Sequence, residues 1–148
     1  MQRPLPIRDG VSASAVFLPE GEWRTVLAFL TYYFPSVGEA RWVARMESGS
    51  VVDAEGDAIA PTALYRPLTR IFYYRELEDE LQIPFDEVIL FENEHLIVAD
   101  KPHFMSTVPV GRYLKETLLV RLKQRLNLEH LVPLHRLDRD TAGLVLLS

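Results

Sequence analysis

The last fourteen residues, His135-Arg136-Leu137-Asp138-Arg139-Asp140-Thr141-Ala142-Gly143-Leu144-Val145-Leu146-Leu147-Ser148, constrain the fold more than any other stretch, because a dense polar cluster runs directly into an apolar run. Leu144 to Leu147 do not alternate with polar residues, which predicts a fully buried strand. Such a strand would hold the polar cluster on a rigid edge. Thr141, Ala142 and Gly143 are small, so a backbone turn or a ligand can approach closely there.

The rest of the chain can supply a core for that strand. A length of 148 residues fits one or two small domains and buries about 68 to 70% of the unfolded surface. An apolar fraction of 48% and a charged fraction of 25% are those of an ordinary globular protein. Cysteine is absent, which excludes a disulfide framework, thiolate metal sites and cysteine nucleophiles and suits a reducing cytoplasm. No apolar run reaches about 18 residues, and Met1 to Pro6 lack the apolar core of a signal peptide. A cytoplasmic protein with no membrane partner is therefore expected. The net charge of −5 is unevenly spread, with 8 Lys/Arg against 17 Asp/Glu in residues 1–100 and 8 against 4 in residues 101–148. The negative total argues against a nucleic-acid partner, but basic charge gathers around the polar cluster, which weakens that objection; a chance asymmetry among solvated surfaces is the alternative.

Taken in order, residues 1–19 are rich in proline and small residues and read as an extended lead-in with little regular structure. From Glu22, the residues Trp23, Val26, Leu27, Leu30 and Phe34 recur at intervals of three and four, predicting a helix that ends before Pro35. Ser36 and Glu39 suggest a capping box for a second helix, with Val43 and Met46 on its apolar face and Gly49 as its stop. Val51 to Ile59 read as a short hairpin turning at Glu55-Gly56-Asp57. Tyr65, Phe72, Tyr73 and Tyr74 suggest a strand between Pro61 and Arg75, and Glu76 to Glu80 an acidic connector. Val88 to Phe91 and His95 to Ala99 form a hairpin pattern around Glu92-Asn93-Glu94. Thr117 to Leu128 read as a helix with Leu118, Leu119, Leu122 and Leu126 on one face, flanked by Arg121 and Arg125 on one side and Lys123 on the other.

On residue chemistry alone, Asp138 in an Asp-Arg-Asp-Thr turn is a cap or turn residue as readily as a catalytic group. His135, Asp138 and the nearby His130 lack metal-ligand spacing, so no metal is expected. No Gly-x-Ser-x-Gly elbow supports a serine hydrolase.

Two segments together resemble one family. His135-Arg136-Leu137-Asp138, two variable residues, then Thr141-Ala142-Gly143 and an apolar strand resemble the catalytic signature of RluA-type pseudouridine synthases. Leu90 to Pro102, a strand pair ending in Lys101-Pro102, resembles the opening of that family's catalytic domain; His103-Phe104-Met105 replace its usual glycine, and Val108-Pro109 resemble its following loop. The likeness covers roughly residues 88–148. Further forward, two short helices, the phrase from Arg45 to Asp53 and a hairpin resemble a degenerate S4-type RNA-binding module. A small helical cap packed through Trp23 and Trp42 is the alternative there.

The resemblance implies an α+β fold, with a small helical and hairpin N-terminal region and the opening part of a mixed, mainly antiparallel catalytic sheet. Its divisions would be residues 1–19 as lead-in, 20–82 as the S4-like cap with a connecting strand, and 83–148 as the N-terminal part of the catalytic domain. It implies isomerisation of a uridine in structured RNA, rRNA or tRNA, without any cofactor. Asp138 would be the catalytic aspartate. Arg136 would engage RNA and assist base flipping, Arg139, Arg121 and Arg125 would contact RNA, and His135, Thr141 and Gly143 would shape the loop. The family also supplies a later tyrosine and a basic partner for the aspartate, which have no counterpart here. The chain thus reads as the front part of a longer enzyme, with a noncatalytic RNA-binding or interaction module as the alternative. With no later strand to pair it, Leu144 to Leu147 would be an open edge.

Overall fold

The computed structural model describes residues 5–77 and 79–148. Three helices and two antiparallel three-stranded sheets make an α+β fold, as expected. The chain forms two compact units, one on Ser12–Arg75 and the other on Ile7–Val11 with Glu76–Ser148. The two units divide at Arg75/Glu76.

In the first unit the strands β1 (Ser14–Leu18), β2 (Val51–Val52) and β3 (Thr69–Tyr73) lie in the order β1-β3-β2. The presence of β1 corrects the expectation of an irregular lead-in. Ala15 and Phe17 are exposed while Val16 and Leu18 are buried, the period-two pattern of a half-buried strand, and β3 supplies its hydrogen bonds from Ser14↔Tyr73 to Leu18↔Thr69.

Helix α1 (Val26–Tyr33) begins later than its apolar stripe suggested, because Thr25 caps it: Ala28 N donates to Thr25 Oγ1 at 3.1 Å. Trp23 lies ahead of the helix and packs edge-on to Phe29, their rings 5.1 Å apart. Helix α2 (Glu39–Glu47) starts from Gly38 at φ +80° without a side-chain cap, so the anticipated box from Ser36 is not formed. Gly49, at φ +69°, does close that helix, with Ser50 N donating to Arg45 O at 2.8 Å. Trp42 and Met46, one turn apart, both reach a core containing Leu18, Phe29, Leu30, Val51 and Ile71. The β2 turn is held by Asp53, whose Oδ1 accepts from Glu55 N and Asp57 N.

In the second unit, β4 (Val88–Glu92), β5 (Ile97–Lys101) and β6 (Gly143–Leu147) form an antiparallel sheet in that order. The β4–β5 turn is the predicted one, and Asn93 builds it: its Oδ1 accepts from His95 N at 2.9 Å and Leu96 N at 2.8 Å. Helix α3 (Leu118–Leu126) is capped by Thr117 and ends at Asn127 in the left-handed conformation. Its Leu118 and Leu122 pack with Ile97, Ala99, Val145 and Leu147. Ile7–Val11 joins this unit through Val11, which is buried with Leu114 and Val120, and through Lys115 Nζ on Asp9 Oδ2 at 2.9 Å.

Strand β6 differs from its expectation in two respects. Val145 and Leu147 are buried while Leu144 is exposed and Leu146 partly so, making β6 half-buried. It is also not an open edge. Along its whole length β6 pairs with β5, from Gly143↔Lys101 to Leu147↔Ile97. On its other side Val132 and Ser148 exchange two hydrogen bonds of 2.9 Å, and Leu134 N donates to Leu146 O at 2.8 Å. The irregular segment 132–134 carries no strand signal, yet it bonds the outer backbone of Leu146 and Ser148 at the end of β6.

Candidate active site

The polar segment before β6 is built by local turns and then fastened from elsewhere in the chain. Thr141 N donates to Asp138 O at 3.1 Å, closing the turn Asp138-Arg139-Asp140-Thr141. Gly143 sits at φ +141°, a backbone conformation that favours glycine. A Cβ there would meet only Leu137 Cδ1 at 3.5 Å, so backbone conformation rather than space requires glycine. His135 Nε2 accepts from Leu146 N at 3.1 Å, tying the start of the segment to β6.

Three fastenings come from the end of β5 and the stretch that follows it. Thr107 Oγ1 donates to Leu137 O at 2.8 Å and accepts from Leu137 N at 3.1 Å, gripping the peptide groups next to Asp138. Lys101, fully buried, donates from Nζ to Met105 O at 2.6 Å, Pro102 O at 3.1 Å and Arg139 O at 3.4 Å. Burial lowers the pKa of its ammonium, while the negative charges of Asp140 and Asp138 act in the opposite direction. His103 Nδ1 lies 2.9 Å from Asp140 O. The carboxylates of this loop thus face a fixed, desolvated cation.

Asp138 itself is exposed, and among the described residues its carboxylate takes part in no hydrogen bond or ion pair. Its lone pairs are available to a ligand. Arg136 is likewise exposed, and nothing among the described residues holds its guanidinium. Arg139 is more ordered: it donates to Tyr113 Oη at 3.0 Å, pairs with Asp140 Oδ1 at 3.0 Å, and lies over the rings of Tyr113 and Phe104 at 5.7 and 5.9 Å. The hydrogen bond to Tyr113 and the charge of Asp140 hold its pKa above the ordinary value. A carboxylate free to accept or attack, between two guanidiniums able to bind phosphate, suits acid–base or nucleophilic chemistry on a nucleic acid.

The two arginines of α3 behave differently. Arg121 donates to Ile83 O at 2.7 Å and Phe85 O at 2.9 Å, and it bonds the carboxylates of Glu116 and Glu87. The donors of Arg121 are thus engaged inside the protein. Arg125 is over half exposed and reaches Glu87 Oε1 at 3.7 Å, so it remains available to solvent. Lys123 is buried, which removes it from the basic flank. Among the described residues no cluster of three His, Asp or Glu converges as metal ligands.

Sequence reasoning did not single out Lys101, Thr107, His103, Phe104 and Tyr113 as site residues. Lys101, His103 and Phe104 left a trace, in the Lys-Pro ending and in the departure that follows it; Thr107 and Tyr113 left none. Phe104 stands at φ +65°, where a side chain costs about 1–2 kcal/mol.

The fold and this loop define a class. Residues 95–148 match the RNA pseudouridylate synthase family. Together with the relatives named below, that match supports the pseudouridine synthase family for residues 95–148. An uncharacterized RNA pseudouridine synthase of Synechocystis sp. is 33% identical over 107 residues, covering 72% of this chain and 36% of the relative. RNA pseudouridine synthase 5 of Arabidopsis thaliana is 29% identical over 154 residues, covering 96% and 40%. Pseudouridylate synthase RPUSD2 of Homo sapiens is 40% identical over 60 residues, covering 40% and 11%. The chain therefore spans 36% and 40% of the length of the first two of these relatives.

Proposed function

We propose that the protein acts in the isomerisation of a specific uridine to pseudouridine in structured RNA, rRNA or tRNA, in the cytoplasm, with Asp138 as the catalytic carboxylate. In that reaction the bond from N1 of uracil to the ribose carbon breaks, the base turns, C5 bonds to the same carbon, and the C5 proton is lost as N1 gains one. No oxidant, reductant or cofactor enters the balance. The observation that carries this reading is the exposed carboxylate of Asp138 on a loop fixed by Lys101 and Thr107. Preorganisation of that kind is what a carboxylate needs to attack, or to take a sugar proton, as the glycosidic bond breaks.

The target base must leave its stack, at a cost of a few kcal/mol. Arg136, exposed and beside the loop, is the residue we assign to engaging the RNA as that happens, with Arg139 and Arg125 on phosphate. The S4-like reading of residues 20–82 belongs to the same proposal, supported by the succession of α1, α2 and the β2 turn.

The test is Asp138→Asn in the full-length protein. RNA binding should persist while pseudouridine formation, mapped by mass spectrometry of total RNA, is lost. Turnover within about tenfold of the parent would exclude Asp138 as the catalytic group. A pseudouridine profile that is the same with and without the gene, while the protein still binds RNA, would favour a noncatalytic RNA-binding module.

A further inference from the structure

Phe104 is held where its own chemistry argues against it. The residue occupies the left-handed backbone region at φ +65°, and it stands in the stretch that replaces the usual glycine of the resembled motif. Its ring repays little of that strain by burial. It is 49% exposed, tilted toward Phe85 at 6.4 Å and His103 at 6.0 Å. What it does meet is Arg139, whose guanidinium lies 5.9 Å from the ring centre, one residue after Asp138.

The surroundings are open on both sides. Phe104 lines a hollow of about 280 Å³ with Lys101, His103, Phe85 and Ala142. Arg139 lines a second hollow of about 510 Å³ with Tyr113 and Arg112. A half-exposed aromatic ring beside a guanidinium offers a flat, sequence-tolerant stacking surface of the kind that proteins use to hold unpaired bases.

We propose that Phe104, backed by Arg139, stacks on a nucleobase neighbouring the target uridine and so selects RNA whose uridine lies in an unpaired stretch. This rests on the proposed function, because it assumes RNA at the Asp138 loop. The ring supplies contact with the strand while the loop presents the carboxylate, so Phe104 is a specificity residue.

Phe104→Gly separates this role from packing. Glycine removes the ring and the backbone strain together, so the variant should melt at or above the temperature of the parent. The probe is a stem-loop RNA with 2-aminopurine beside a loop uridine. The parent should quench its fluorescence by stacking; Phe104→Gly should bind it about five- to a hundredfold more weakly and leave it bright, and Phe104→Tyr should restore both. A lowered melting temperature for Phe104→Gly, or parental affinity and quenching, overturns the inference. If pseudouridine formation by the parent accompanies that result, the proposed function stands and only the role of Phe104 falls. A parent that neither binds nor modifies RNA removes both.

Discussion

Thr107 and Leu137, thirty residues apart in sequence, exchange two hydrogen bonds through one hydroxyl: Thr107 Oγ1 donates to Leu137 O and accepts from Leu137 N. Both peptide groups of Leu137 that flank its Cα are thereby fixed, and with them the position from which Asp138 projects.

Thr107→Val keeps the shape and removes both bonds. Thr107 is buried, so two backbone groups lose their partner, at a cost of about 2–3 kcal/mol. Urea unfolding should show a lower midpoint with an unchanged slope, and Thr107→Ser should recover most of the loss.

Lys101 makes a prediction with a definite sign in pH. Its folded pKa lies below the ordinary 10.5, chiefly through burial. The folded chain therefore releases this proton before the unfolded chain does, and stability from this group rises with pH through the window below 10.5. Compared with Lys101→Met, the parent should gain relative stability as the pH rises toward 10.5 in paired urea titrations. A constant difference would mean that Asp140 and Asp138 fully offset the burial.

Arg121 and Arg125 should separate cleanly. Arg121→Ala strands the carboxylates of Glu116 and Glu87, the latter almost wholly buried, and should cost about 2–4 kcal/mol. Arg125→Ala breaks only a long pair whose guanidinium is over half exposed, and Glu87 keeps Arg121, so stability should change by under about 0.5 kcal/mol. If Arg125 contacts phosphate, its loss weakens RNA binding and flattens the salt dependence. Thermal unfolding and binding at two salt concentrations distinguish the two residues.

Strand β6 is bonded to β5 on one side and, at Leu146 and Ser148, to the segment 132–135 on the other, so the amides in those bonds should exchange slowly. His135→Ala removes the acceptor of Leu146 N. Residue-resolved hydrogen exchange should then show faster exchange at Leu146, while the amides of β6 that pair with β5 stay protected.

Part of this arrangement was written locally. The Asn93 turn, the leucine face of α3, the Gly49 stop and the tight turn into Gly143 each depend on residues a few positions apart, and short-range sterics and periodicity report them. β1 was hidden because Ala15-Val16-Phe17-Leu18 are all apolar and alternate only in burial, which pairing with β3 decides. The basic flank of α3 looked like a phosphate surface because periodicity records which face a residue occupies, not whether a carboxylate waits there.

The sequence by itself determined the composition of the site: an aspartate between two arginines, a small-residue turn, and an apolar run behind it. Only the tertiary structure decided how that loop is held and which residues remain free for a ligand. Lys101, Thr107 and His103 reach the loop from thirty or more residues away, and residues 132–134 bond the outer backbone at the end of β6. Such contacts carry no local signature, because a buried ammonium or hydroxyl bonds whichever carbonyl the folded chain brings within reach, and that return path is set by burial of the whole core.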